Sequence, residues 1–158
     1  MPGLNALSIA TAQLPMLPAS SPALVKALEE IEADLMGHEP IEVPTEHVLH
    51  AGMYVRTIAL PAGMVLFGCT VKLPTLVIVT GSAAVLVGEE WLRLEGYNVI
   101  PASADRKQVF VTYSSVVISM AFPTSAKTVE EAEYEFTDDA DRLLSRRQNA
   151  NRVVITEE

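Results

Sequence analysis

The chain is poor in the residues that most often carry chemistry. It has one cysteine, Cys69, so no intrachain disulfide framework is open to it. Its three histidines, His38, His47 and His50, all fall in the first third. A transition-metal centre needs several nitrogen, oxygen or sulfur donors around one ion, and no later segment offers an imidazole. No apolar run reaches the roughly 18 residues of a membrane span. Bases number 11 against 20 acids. They form no basic patch of the kind that neutralises a phosphate backbone, and Arg146-Arg147 is an isolated pair that reads as solvated helix surface. There is no phosphate-binding glycine loop and no Cys-x-x-Cys pair, and "TGSA" at 80–83 is not a nucleophile elbow.

What is present is a folded composition. Apolar residues make up 49% of 158 and charged residues 20%, enough for one domain whose core needs no staple. The net charge of -9 sits in the flanks. Residues 20–50 carry seven acids against Lys26, and residues 124–158 carry nine acids against five bases. Residues 51–123 are nearly neutral, with four acids and five bases.

Five segments follow. Residues 1–20 read as a flexible arm, because prolines break their apolar run and no basic start marks a signal peptide; the alternative is an arm that docks on a neighbouring subunit or partner. Residues 21–37 read as a helix, capped by Ser21, opened by Pro22 and closed by Gly37. Leu24, Leu28, Ile31 and Leu35 form its apolar stripe, to be packed on a sheet or on a second subunit. Residues 41–123 hold short β-branched runs bounded by Gly, Pro or polar residues, the pattern of a compact sandwich or barrel. "PAG" at 61–63 and "TGSA" at 80–83 read as turns, and Gly88-Glu89-Glu90 as a hairpin turn. Residues 124–147 return to a helical period. Thr128 and Glu131 form a capping box, and a second helical piece starts near Thr137. Residues 148–158 read as a loose tail, although Val153-Val154-Ile155 is apolar enough to pair as a last strand.

These residues carry a resemblance. "LPAGMVLFG", "VIVTGSAAVLV" and "VIPASADRKQVFVTYSSVVISMAF" look like a cupin, an all-β jelly-roll barrel, here with short flanking α-helices at both ends. More closely, the chain resembles a group of bacteriophage-encoded cupin-like proteins of poorly defined role. In that group a short acidic helix precedes a histidine, a Gly-x-Tyr-x-Arg element and a Pro-Ala-Gly turn. The matching residues are His47, Gly52 to Arg56, and Pro61-Ala62-Gly63, and the likeness runs over roughly residues 24–136. It implies a barrel in which metal-binding members hold two histidines soon after the Pro-Ala-Gly turn and a third after the segment near Pro101. Here those places hold Thr70 to Thr75 ("TVKLPT") and Asp105 to Gln108 ("DRKQ"). Valine and leucine cannot coordinate, threonine coordinates poorly and a protonated lysine repels a cation. The reading is therefore no metal and no cofactor.

Candidate residues follow from strand geometry. Tyr54 and Arg56 share a side of one strand, so an inward pair can line a pocket with Trp91 and Tyr113. Alternatively Arg56 pairs at the rim with an acid of the first helix. Thr70, Lys72, Asp105, Arg106 and Lys107 are barrel-mouth candidates, the last three reading mainly as a solvated loop. Cys69 reads as a small buried hydrophobe rather than a nucleophile. His47 and His50, three apart in a strand, point to opposite faces.

Three functions stay open. The first is a non-catalytic cupin-like scaffold, homo-oligomeric, touching other phage structural proteins or a host protein, in the virion or in the cytoplasm of the infected bacterium. It would use no nucleic acid and no membrane. The second is a metal-free small-molecule binder or enzyme, which requires an open cavity with convergent polar groups. The third is a residual metalloenzyme rebuilt on the upstream histidines or Cys69.

Overall fold

The computed structural model describes residues 16–35 and 41–158. Eight strands form one curled sheet: β1 (Thr45–His50), β2 (Met53–Leu60), β3 (Val65–Val71), β4 (Thr75–Val87), β5 (Glu90–Ala102), β6 (Arg106–Thr112), β7 (Val116–Pro123) and β8 (Asn151–Ile155). Helix α1 (Pro22–Leu35) precedes them. Helix α2 (Val129–Phe136), a 3-10 turn (Ala140–Arg142) and helix α3 (Leu144–Gln148) lie between β7 and β8. The fold is an all-β, curled half-barrel of the cupin-like jelly-roll kind, with short helices at both ends.

The pairing is nested. β4 pairs with β5, β3 with β6, β2 with β7 and β1 with β8, as in a hairpin rolled upon itself. β4 also bridges two neighbours. Its first half pairs with β7 (Leu76 to Thr80) and its second with β6 (Ala83 to Val85). The change falls at Gly81, where φ is +127° and a Cβ would lie 2.6 Å from the Ser115 carbonyl oxygen. "TGSA" is therefore not a turn. The strand continues through it and uses glycine to bend and change partner. The turn at Gly63 (φ 77°) forms as expected, and Gly88 (φ 62°) turns the β4–β5 hairpin.

Alternation assigns the two faces. Val77, Val79, Ala83, Val85, Leu94, Ile100 and Ile118 point inward to the main core. A second cluster holds Leu49, Tyr54, Val71, Phe122, Ala132 and Phe136, so α2 packs across one end of the curl. On the outer face of β5, β4, β7 and β2 three rows cross the strands. One row is Pro101, Leu76, Ala121 and Val55; the next is Val99, Ile78, Ser119 and Thr57. The third is Tyr97, Thr80, Val117 and Ala59.

Both termini depart from the sequence reading. Residues 17–20 are docked rather than loose. Leu17 is fully buried and exchanges backbone hydrogen bonds with Pro101 and Ser103, and the Ser20 amide donates to the Asp105 carbonyl. Residues 151–155 are not a tail. They form β8, paired parallel to β1 in register Thr45 to Asn151 through Leu49 to Ile155. Three β-branched residues in a row favour extended backbone, and the edge of β1 was free to accept them. In α1, Ser21 Oγ accepts from the Leu24 amide at 3.1 Å. Of its stripe only Leu28 is buried, while Ile31 and Leu35 are about half exposed. Gly37, expected to end this helix, and His38 lie outside the described residues, as do residues 1–15 of the expected arm. Thr128 caps α2 as expected, its Oγ1 accepting from the Glu131 amide, but the Glu131 carboxylate accepts from the Lys127 amide, one residue before the N-cap, so the reciprocal half of the box is displaced. The second helical piece breaks at Leu143 (ψ 133°) into the 3-10 turn and α3.

Candidate functional site

The site assembles where α2 and α3 cover the open end of the curl. Tyr54 and Arg56, two apart on β2, both point inward, as strand geometry requires. Tyr54 is fully buried, packed among Phe122 and Phe136 with ring centroids 5.4 and 6.2 Å away. Burial pushes its hydroxyl up to about 12, so it keeps its proton. That proton goes to His47 Nδ1 at 2.7 Å. His47 Nε2 donates to Asn151 Oδ1, also at 2.7 Å, because the Asn151 amide nitrogen is already donating to the Ser145 carbonyl. His47 is thus neutral and satisfied at both nitrogens, and burial holds it below its ordinary value. His50 on the opposite face is exposed and meets Thr156 at 2.7 Å. The opposite-face reading of the two histidines holds.

Arg56 finds an acid, but not on the first helix. Its partner is Glu133 of α2, with Nη1 to Oε2 at 3.0 Å. Arg56 Nη2 donates to Ser145 Oγ at 2.9 Å. Arg146 Nε binds the other Glu133 oxygen at 2.9 Å, and Arg146 Nη1 also binds Asp141 at 3.0 Å. Glu133 is 3% exposed and carries two guanidiniums. In this Arg–Glu–Arg cluster α2 supplies the anion that an inward arginine requires, and one donor, Arg146 Nη2, stays buried without a partner. His47, Glu133, Ser145, Arg146, Asn149 and Asn151 line a cleft of about 450 Å³ beside β8.

The barrel-mouth candidates separate. Arg106 and Lys107 do not form a solvated loop, being 1% and 4% exposed. They begin β6, where the strand carries both side chains under other elements. Arg106 donates to the carbonyls of Leu73 and Ser103 and to Thr75 Oγ1, with no carboxylate partner. Desolvation lowers it to about 10, still charged at neutral pH. Lys107 donates to the Gly68 carbonyl at 2.7 Å and pairs with Glu32 of α1 at 2.8 Å. Asp105 stays in the loop, at a left-handed φ of 58°. Thr70 sits at a register shift of β3, opposite Lys107. Lys72 pairs with Asp138 at 2.7 Å. Trp91 and Tyr113 do not join Tyr54 and Arg56. They are 52% and 51% exposed, on the outer surface, with the Arg93 guanidinium 4.0 Å from the centre of the Tyr113 ring. Cys69 is partly buried and packs against the second cluster, and this burial raises its thiol.

At the barrel-mouth positions where the resemblance places metal-binding histidines, the described residues offer none. Where ligands are expected, the Arg106 guanidinium and the Lys107 ammonium reach Thr75 and Gly68 instead. Among the described residues no three His, Cys, Asp or Glu side chains come together as a ligand set. Sequence reasoning missed Glu133, Ser145, Arg146 and Asn151. One signal was available: Glu133 sits between Ala132 and Phe136 on the buried stripe of α2, where an acid demands a partner.

No family model and no curated protein matches the chain. Several solved structures do. A cupin superfamily protein from Desulfitobacterium hafniense is 12% identical, over 59% of this chain and 87% of its own, with a TM-score of 0.44. KdgF from a Halomonas species is 18% identical, over 56% and 89%, with a TM-score of 0.43. The cupin domain of Cnp3 from Schizosaccharomyces pombe is 13% identical, over 58% and 67%, with a TM-score of 0.42. At such values the likeness carries no argument about activity, and the jelly-roll assignment stands on the nested strand pairing.

Proposed function

We propose that this protein is a non-catalytic cupin-like scaffold that works through protein–protein contacts as a homo-oligomer. The observation that carries this reading is the closure of the barrel mouth by α2. Phe136 fills the space beside Tyr54, and Glu133 takes the charge of Arg56. Most of the inward polar groups that a small molecule would need are engaged with one another; Arg106 Nε and Arg146 Nη2 are buried without a partner. The outside, by contrast, offers contact surface. β8 is an edge strand with Val153, Val154 and Ile155 exposed, and exposed edges are common sites of pairing with another chain.

The bacteriophage setting rests on the order of sequence elements alone. In that setting the partners are other phage structural proteins or a host protein, and the place is the virion or the cytoplasm of the infected bacterium. Among the described residues no helix is long and apolar enough to cross a membrane.

A small-molecule role is the second reading, and the cleft of about 450 Å³ beside His47 favours it. Native mass spectrometry of the untagged full chain separates the two. A multimer with no added mass is the expected result. A monomer that retains a stoichiometric small molecule or metal would overturn the scaffold reading.

A further inference from the structure

We infer that the outer face of β5, β4, β7 and β2 is a self-association surface, covered by the same face of a second copy of this chain. The inference deepens the scaffold reading and rests on it. The face is apolar and exposed where a lone sheet would be polar. Tyr97 is 69% exposed, Leu76 45% and Val117 41%. None of the twelve positions in the three rows is charged, in a chain of net charge -9. Glu46 and Arg152 lie beyond it on β1 and β8, and the nearest charges along β5 are Glu95 and Arg93. Its central hydroxyls need no water, because Thr57 Oγ1 and Ser119 Oγ hydrogen-bond each other at 2.7 Å. A patch without charge lets two copies of an acidic chain come together without like-charge repulsion.

The shape selects a second copy over an unrelated partner. The β5 and β4 half of the patch carries the large side chains, with Tyr97, Leu76 and Ile78 prominent. In the same rows the β7 and β2 half sets Ala59, Ala121 and Ser119 opposite them, and its own large residue Val117 stands opposite the smaller Thr80. A two-fold axis along the strands, between β4 and β7, sets each half against the other. Tyr97 then meets Ala59 of the second copy, Leu76 meets Ala121, and Ile78 meets Ser119. Such a patch is self-complementary, as an isologous interface requires. Twisted sheets pack aligned within about 30°, a tilt that keeps half against half.

Four strands and five residues give a patch of about 19 Å by 17 Å. Two such patches with their rims bury on the order of 1,000 Å², the lower bound for a specific interface.

Sedimentation of the full chain tests this. At roughly 100 µM, where even a micromolar interface is mostly paired, an even-numbered species built from dimers is expected. Val117→Lys should raise the dissociation constant at least tenfold while leaving the circular dichroism spectrum and melting curve in place. Tyr97→Lys and Ala59→Glu should each lose self-association alone and recover it when mixed, because one Lys–Glu pair forms across the two-fold. A monomer at this concentration overturns the inference and the homo-oligomer reading together. An oligomer insensitive to all three substitutions overturns the inference alone. Failure of the mixture to recover overturns the two-fold arrangement. A monomer that dimerises once residues 1–15 are deleted would assign the face to that segment instead.

Discussion

Replacing Glu133 by glutamine keeps the shape of the side chain and removes its charge. The carboxylate is 3% exposed and lies 3.0 Å from Arg56 and 2.9 Å from Arg146. Those arginine side chains are 13% and 23% exposed, so water only partly screens the charges left behind. Removing one partner from a buried ion pair costs about 3–5 kcal/mol. The lower end applies, because Arg146 keeps Asp141 at 3.0 Å. For a domain of this size each kcal/mol moves the melting temperature by about 2–4 °C. Glu133→Gln should therefore melt about 6–12 °C lower, read by far-UV circular dichroism at pH 7. The double variant Glu133→Gln with Arg56→Met removes both charges and should lose clearly less than the sum of the two single changes. A loss for Glu133→Gln below about 1 kcal/mol, the value of a surface pair, would refute the reasoning. Glu133 would then be a rim acid, and the mouth of the barrel would not be closed by charge.

Three further outcomes follow from the same structure. Burial lowers His47 below 6.5, so the unfolded chain binds the extra proton first as pH falls. Stability should be full above about 6.5 and decline below it toward the folded value, with a shallower slope in His47→Gln; equal slopes in urea titrations would remove His47 as the cause. Gly81→Ala places a Cβ 2.6 Å from the Ser115 carbonyl oxygen at a φ of +127°. It should cost at least the 1–3 kcal/mol of a strained backbone, and an unchanged urea midpoint would show that β4 need not bend there. Burial raises the Cys69 thiol, so iodoacetamide at pH 8 should alkylate it at least tenfold more slowly in the native chain than in urea. Equal rates would mean that the fold does not shield this thiol.

The sequence by itself determined the elements and their class. Short β-branched runs, the Gly63 and Gly88 turns, and the Ser21 and Thr128 caps depend on residues within a few positions of one another, and these formed. The inward pair Tyr54 and Arg56 and the opposed His47 and His50 follow from the period of a strand, which is also local. Tertiary structure decided everything that depends on which distant segments meet. Gly81 is flexible in either reading, and only the two partners of β4 make it a bend instead of a turn. Residues 151–155 became a strand because β1 had an open edge to give them. Arg106 and Lys107 look like loop charges until β3, Ser20 and Glu32 close over them. Glu133 is 77 residues from Arg56. No local pattern joins them, since their pairing follows from α2 folding back across the barrel to bury Ala132 and Phe136.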